Sequence, residues 1–422
     1  MKIHEFSSWI NLKETQHRLS ELYPSITEAQ KRMSKSLNSF TSYFPNHDEI
    51  ELFSSSGRVE LIGNHTDHQG GLVLSCAIHL DTLAIVSHNH DHVIQCISDG
   101  YEPISIRCDD LAYRPSEQHT TQALLRGCLA LFSQHFPIQG LDISVDSIIP
   151  IGSGLSSSAS FECLILSILN VYFGNSSLTP MQIAKMAQKV ENVYFGKPSG
   201  LLDQLCITHG GVNLLDFRLD TPSVTPIPNN TLFDDYDLCI VKTSDNHSDL
   251  SKAYQSIVND YQDIAHYYHQ KRLVDVDESV FYSDLFKLQQ YFPSQTLLRA
   301  HHFFSEQKRV IKAYDALLIN DFHSFLKQVN HSGHSSFEYL NNVLHPMSKH
   351  HNIALGLALT QQYLNELGAS RVHGGGFAGS FLVITPKSNS DYLDYLLRST
   401  LGAENYMKCK IRSTGVKWLS HK

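Results

Sequence analysis

The chain has 422 residues, a formal net charge of -9 and basic residues scattered along its length, so it offers no continuous positive surface to a nucleic-acid backbone. With 18% charged residues and 42% from the AVILMFWYC set, its composition is neither disordered nor fibrous. The length predicts two domains of roughly 200 residues, each able to bury a sizeable core.

The opening MKIHEFSSWINLKETQHRLSELY has no apolar run after its first charges, and no stretch of about 18 apolar residues follows, so neither a signal peptide nor a membrane span is expected. The expected compartment is the cytoplasm and the expected state a monomer, with neither membrane nor nucleic acid as partner. Leu12, Leu19, Leu22, Ile26, Ala29, Met33, Leu37 and Phe40 stand at helical spacing with a break at Pro24, predicting a helical N-terminal arm over residues 1–45. From Glu49 the period becomes two, in EIELFSSSGRVELIG and GLVLSCAIHLDTLAIVSHN and then in VIQCISDG and ISIRCDD, which predicts an antiparallel or mixed sheet.

His88-Asn89-His90-Asp91-His92 invites a metal reading, but it follows an alternating run and is expected to be the polar turn of a hairpin. His266 and His269, His301 and His302, and His350 and His351 are expected on the solvated surface. The eight cysteines (Cys76, Cys96, Cys108, Cys128, Cys163, Cys206, Cys239, Cys409) stand singly in apolar sequence and are expected to be reduced and mostly buried.

LDISVDSIIP reads as a strand, followed by a Gly/Ser turn and the buried helix LSSSASFECLILSILNVYF. Thr179 caps a second helix that starts at Pro180 and runs to about residue 195, ended by Gly196. TPSVTPIPNN, residues 221–230, is the expected junction between an N-terminal α+β domain over 46–220 and a C-terminal α+β domain over 221–422. In that second half, helices are expected around 281–291, 299–318, 322–328 and 350–367, and RVHGGGFAGSFLVITP reads as a glycine loop entering a strand.

Four stretches carry chemistry. In Pro150-Ile151-Gly152-Ser153-Gly154-Leu155-Ser156-Ser157-Ser158-Ala159 two glycines, three hydroxyls and a helix N-terminus suit a phosphate cradle, although the Walker lysine is missing and a plain turn is the alternative. Gly57-Arg58-Val59-Glu60-Leu61-Ile62-Gly63-Asn64-His65-Thr66-Asp67-His68 gathers polar side chains between glycines, as a polyol site or a polar hairpin loop would, and Arg58 suits the neutralisation of phosphoryl charge. In Phe195-Gly196-Lys197-Pro198-Ser199-Gly200-Leu201-Leu202-Asp203-Gln204, directly after the helix bearing Glu191, Asp203 is either a helix cap or an acid placed in a cleft. Val372-His373-Gly374-Gly375-Gly376-Phe377-Ala378-Gly379-Ser380 allows close packing around another loop or a nucleotide, with a structural turn as the alternative.

In this combination and order the four motifs resemble galactokinase, within the superfamily of galactokinase, homoserine, mevalonate and phosphomevalonate kinases. The resemblance spans roughly residues 47–385, with weaker matches in RAHHFFSEQKRV and SGHSSFEYL. It implies a two-domain α+β GHMP-kinase-like fold with the active site in the cleft between domains, and ATP and Mg²⁺ as cofactors. It implies that Gly152, Ser153, Gly154, Leu155, Ser156, Ser157 and Ser158 wrap the ATP phosphates and that Ser158 and Glu191 hold Mg²⁺. Asp203 and Arg58 become the catalytic pair, and Asn64, His65, Asp67, Gly200 and Tyr254 the sugar contacts.

The sequence departs from the family motif at several of these positions. Asn64 replaces the Glu that contacts the far end of the sugar, Glu60 replaces a usual Asn, Ala378 replaces a Gly, and no Arg-Arg pair follows Tyr254. The expected reaction is phosphorylation of the anomeric hydroxyl of D-galactose. Asn64 motivates a rival acceptor such as galacturonate, arabinose or an N-acetyl hexosamine, and a sensor that binds sugar and ATP without turnover is the reading from a different class.

Overall fold

Alternation along the strands decides which face of the first sheet each residue serves. The computed structural model describes all residues except 151, 229, 244–249, 347, 378, 403–405 and 422. Its strands in chain order are β1 Glu51–Ile62, β2 Leu72–His88, β3 Val93–Ser98, β4 Ile104–Arg107, β5 Leu141–Ser147, β6 Val212–Asp216, β7 Ser223–Pro226, β8 Tyr236–Lys242, β9 Ala369–His373, β10 Ser380–Pro386, β11 Tyr406–Cys409 and β12 Lys417–Trp418. β1–β7 and β12 form one sheet, and β8–β11 form a second in the order β11-β8-β10-β9.

Phe53, Ala84 and Val86 point to one face of the first sheet, where the helices Thr121–Ser133 and Ser157–Phe173 bury Leu125, Leu129, Leu164 and Ile168. Their neighbours Leu52, Leu83 and Ile85 point to the other face and meet Leu19, Met33 and Phe40 of the helices Lys13–Leu22 and Ile26–Tyr43. The helical segment expected as an arm is thus the cover of that second face, and the chain does turn between its helices at Tyr23–Ser25.

Two expectations about connections change. Residues 88–92 do not turn a hairpin, because β5 lies between β2 and β3, antiparallel to the first and parallel to the second. Periodicity identifies strands but not which strands pair. The expected junction at 221–230 is also partly sheet, since β7 pairs with β6. β12 then returns from the far end of the chain to pair with β1, placing Trp418 opposite Phe53.

The second half is α+β as expected, with the long helices Ser294–Leu318 and Phe322–Ser335 against the second sheet. The helices Thr121–Ser133, Ser251–Tyr267 and Lys387–Leu401 were not among the expected elements. One hydrophobic cluster joins the halves: Val59, Leu61, Ile78 and Leu155 from the first pack with Ile240, Val310, Phe325 and Leu382 from the second. All eight cysteines are unpaired, and all but Cys108 are buried.

Candidate active site

A bulge in β1 between Ser56 and Gly57 brings the strand under the serine-rich loop, where the Arg58 N–H donates to the Leu155 carbonyl at 3.3 Å. Positive φ at Gly152 (71°), Gly154 (71°) and Ser156 (64°) coils that loop into the start of the helix Ser157–Phe173. Left-handed backbone at alternate residues, followed by a helix N-terminus, is a geometry that suits an anion. Ser153 is tied to the second sheet, because its carbonyl accepts from Ser380 Oγ at 2.7 Å. Ile151 and Ala378 lie outside the described residues.

Arg58 is 7% exposed, and it turns two nitrogens onto one oxygen of Asp203: Nε to Oδ1 at 2.8 Å and Nη2 to Oδ1 at 2.7 Å. Its third nitrogen, Nη1, donates to the Gly154 carbonyl. The other Asp203 oxygen accepts from Ser156 Oγ at 2.5 Å. Asp203 therefore does not cap its helix, Leu202–His209; it joins that helix to the strand and to the serine-rich loop. Burial alone would push the Asp203 carboxyl up, but Arg58 and Lys197, with the Ser156 hydroxyl, override it and hold the group below the ordinary aspartate range.

Glu191 sits in a π-turn, Val190–Phe195, that continues the helix Pro180–Lys189; such turns recur at functional sites. The expected helix over 180–195 is present, but Glu191 is fully buried, not lying open in a cleft. Its Oε1 accepts from Ser158 Oγ at 2.9 Å and from Lys197 Nζ at 2.9 Å, and its Oε2 from Ser199 Oγ at 2.7 Å and Gln204 Nε2 at 2.9 Å. Behind it lies Glu162, whose carboxyl is pushed well above the ordinary range by burial and then by Glu191.

The second loop, residues 63–69, carries one carboxylate, Asp67, among otherwise neutral groups. Asn64 has no exposed surface: Nδ2 donates to Glu60 Oε1 at 3.2 Å and to the Gly374 carbonyl at 2.7 Å, while Oδ1 accepts from Asn342 Nδ2 at 2.8 Å. The two departures from the family motif at 60 and 64 are thus in contact. The carboxylate absent from 64 stands across one hydrogen bond at 60, paired with buried Arg371 at 2.9 Å. The Asn64 backbone is fixed from behind, with its carbonyl accepting from His302 Nε2 at 3.1 Å and its N–H donating to Glu306 Oε1 at 3.4 Å. His302 is fully buried, which corrects the expectation of a solvated histidine; the Asn64 carbonyl and Ser335 Oγ hold its two ring nitrogens.

His65 lies at φ 58°, and its Nε2 meets the Gly375 carbonyl at 3.0 Å. A carbonyl only accepts, so Nε2 carries the proton. Burial lowers the ring to about 4, which leaves it neutral at pH 7. Unlike Asp203, Glu191, Glu60 and Glu306, Asp67 has no cation on it among the described residues: burial, and then the negative charge of Asp203, pushes its carboxyl up to about 6. Gly200 makes room for it, since a Cβ there would stand 1.9 Å from Asp67 Oδ2. Tyr254 closes this end, its hydroxyl donating to the Gly376 carbonyl at 3.2 Å.

The glycine-rich stretch 372–380 therefore wraps the two loops, through Gly374 and Gly375 on one and Ser380 on the other. Lys197, Ser199, Gln204, His302, Glu306 and Asn342 were not assigned from sequence. The first three lie inside a motif already singled out, and His302 and Glu306 lie in RAHHFFSEQKRV; only their position beside recognised residues could have drawn attention to them.

Residues 123–211 match the model of the GHMP kinases N-terminal domain, so the serine-rich loop, Glu191 and Asp203 all fall inside it. Residues 38–88 match the galactokinase galactose-binding signature. The galactokinase of Staphylococcus saprophyticus is 30% identical over 362 residues, covering 84% of this chain and 90% of that one. The galactokinase of Limosilactobacillus reuteri is 30% identical over 360 residues, covering 81% and 87%. Among solved structures, Lactococcus lactis galactokinase complexed with galactose shares the fold with a TM-score of 0.79 at 21% identity, covering 92% of this chain and 99% of that one. Methanococcus jannaschii mevalonate kinase shares it with a TM-score of 0.62 at 16% identity, covering 86% and 98%.

The fold is thus that of the GHMP kinases. Within them, the chain belongs to the galactokinase family.

Proposed function

We propose that the protein transfers the γ-phosphoryl group of ATP to the anomeric hydroxyl of D-galactose, giving galactose 1-phosphate and ADP. The observation that carries this reading is the junction of Arg58, Ser156 and Asp203, which sets an ionised carboxylate between the phosphate loop and the loop bearing Asp67. The base and ribose of ATP are assigned to a cavity of about 460 Å³ that begins at Ser157 and Ser158 and is lined by Ile97, Tyr101, Leu124 and Phe195. Apolar walls beside a polar rim suit a purine.

The sugar oxygen attacks the γ-phosphorus, the new O–P bond forms as the bond to the ADP oxygen breaks, and the hydroxyl proton passes to Asp203. Because Arg58 holds Asp203 strongly ionised, Asp203 is a weak base; its main work is to orient the hydroxyl and take the proton late, as a loose transition state permits. Arg58, fixed by Asp203 and Gly154, offsets charge on the transferred group.

Mg²⁺ fits the Ser158–Glu191 pair. Both supply hard oxygen donors, and Glu191 Oε1 already attracts a cation in Lys197. When bound, the ion would neutralise phosphate charge. Sugar recognition falls to Asp67, His65 and Tyr254, whereas the side chain of Asn64 is occupied by protein partners and acts by shaping the loop.

An acceptor panel with product regiochemistry tests this reading. D-galactose should give the highest kcat/KM and a 1-phosphate product. A higher value for galacturonate, arabinose or an N-acetyl hexosamine would transfer the assignment to that sugar, and ADP release with none of them would end it.

A further inference from the structure

The oxygen of Glu191 that faces Ser158 already holds a positive charge. Lys197 Nζ and Ser158 Oγ both lie 2.9 Å from Oε1, while Ser199 and Gln204 occupy Oε2. The two partners of this ion pair differ in freedom. Glu191 has no exposed side-chain surface, whereas 52% of the Lys197 side chain is exposed. The Lys197 backbone is fixed, its N–H donating to the Glu191 carbonyl at 3.1 Å next to the left-handed Gly196. The carboxylate is therefore a built socket, and the ammonium is a mobile plug on a flexible stem.

A divalent ion bridging Ser158 and Glu191 would need the oxygen that the ammonium now holds. Two cations on one carboxylate oxygen repel, which favours departure of the lysine. Its stem begins six residues after Glu191, in the stretch that leads to Asp203, on the rim of the cleft where phosphates are assigned. The phosphates that accompany the metal give the displaced ammonium an anionic partner.

Resting on the kinase reading above, we infer that Lys197 is a displaceable counter-ion of the metal position: it holds Glu191 when no nucleotide is bound and moves to the phosphates when metal and nucleotide enter together. The consequence is coupling. Lys197 lowers affinity for a bare divalent cation and raises affinity for a metal-free nucleotide, so the site favours the metal–nucleotide complex over either component.

The test uses the full chain and its Lys197→Met variant, which keeps the length of the stem and removes the charge. Mn²⁺ binding without nucleotide is read by electron paramagnetic resonance, and ADP binding in the presence of a chelator by calorimetry. Without the lysine, Mn²⁺ should bind about tenfold more tightly and metal-free ADP several-fold more weakly. Lys197→Arg should keep the wild-type ADP affinity. Opposite signs for the two ligands are the signature, because structural damage would weaken both together. Equal Mn²⁺ affinities in the two proteins, or parallel losses, overturn the inference while leaving the kinase reading standing. A wild-type protein that binds neither ADP nor Mn²⁺ with ADP overturns the nucleotide-site reading and this inference with it.

Discussion

The two halves of the cleft are held by opposite means. On the side proposed for the phosphates the charges are paired: Arg58 on Asp203, Lys197 on Glu191, with the Ser156 and Ser158 hydroxyls completing the carboxylates. On the side proposed for the sugar stand a neutral imidazole, an amide saturated by protein partners and one carboxylate without a cation among the described residues. The ion pairs of this second half stand one layer back, in Glu306 with Arg309 and Glu60 with Arg371. Phosphoryl transfer needs fixed charge at the reacting atoms, which only paired groups can hold while buried. Sugar recognition needs polar atoms left free for hydroxyls, and a scaffold that satisfies its own backbone provides them.

The largest effect should come from breaking the phosphate side. Asp203→Ala removes the group proposed to meet the attacking hydroxyl and leaves Arg58, among the described residues, with the Gly154 carbonyl. We expect kcat to fall by about 10²–10⁴-fold, with galactose binding by calorimetry close to wild type. If kcat is unchanged, the hydroxyl is not oriented by Asp203. If binding is lost in parallel with kcat, the division of the cleft into a reacting half and a recognising half is wrong.

Next in size is the point where the halves touch. Gly200 belongs to the segment carrying Asp203, yet its Cα faces Asp67, and an added Cβ would stand 1.9 Å from Oδ2. Gly200→Ala must displace the Asp67 carboxylate, so kcat/KM for galactose should drop by about 10²-fold. The loss should appear mainly in KM, while ADP affinity stays at the wild-type value. A variant with wild-type KM would show that Asp67 does not position the sugar.

This contrast also explains what could be read from the sequence. Periodicity predicted β1, β2, β5 and the helix Ser157–Phe173, because each buries a face that its own residues display. It did not show that β5 separates β2 from β3, since pairing order depends on segments distant in the chain. Arg58, Ser158, Glu191 and Asp203 were legible because they lie in local motifs. Their partners were less so: Glu306 and His302 act on the Gly63–Asn64 backbone from more than 230 positions away, and a lone acid or histidine in a helix gives no local sign of that. Asn64 was read as a sugar ligand from its place in a motif, and its saturation by Gly374 and Asn342 is a tertiary fact.

The smallest effect, and the one that separates the halves without changing the chemistry, is titration. Asp203 is held below the ordinary aspartate range, so it stays ionised through mild acid, whereas Asp67 is raised from 3.8 to about 6. In the free enzyme kcat/KM for galactose should therefore be flat above pH 6 and fall about tenfold per unit below it, as Asp67 gains a proton and loses an acceptor for a sugar hydroxyl. Stability should run the other way. A carboxyl whose folded value exceeds its unfolded one binds a proton on folding between 3.8 and about 6, so its contribution is favourable below that window and is lost as pH rises through it. Asp67→Asn should thus raise Tm at pH 7, leave it unchanged near pH 4, and abolish the acid limb of whatever activity remains. A limb that persists in the Asn variant would assign the titration to another group, and a Tm gain of equal size at both pH values would show that Asp67 is strained by packing and not by charge.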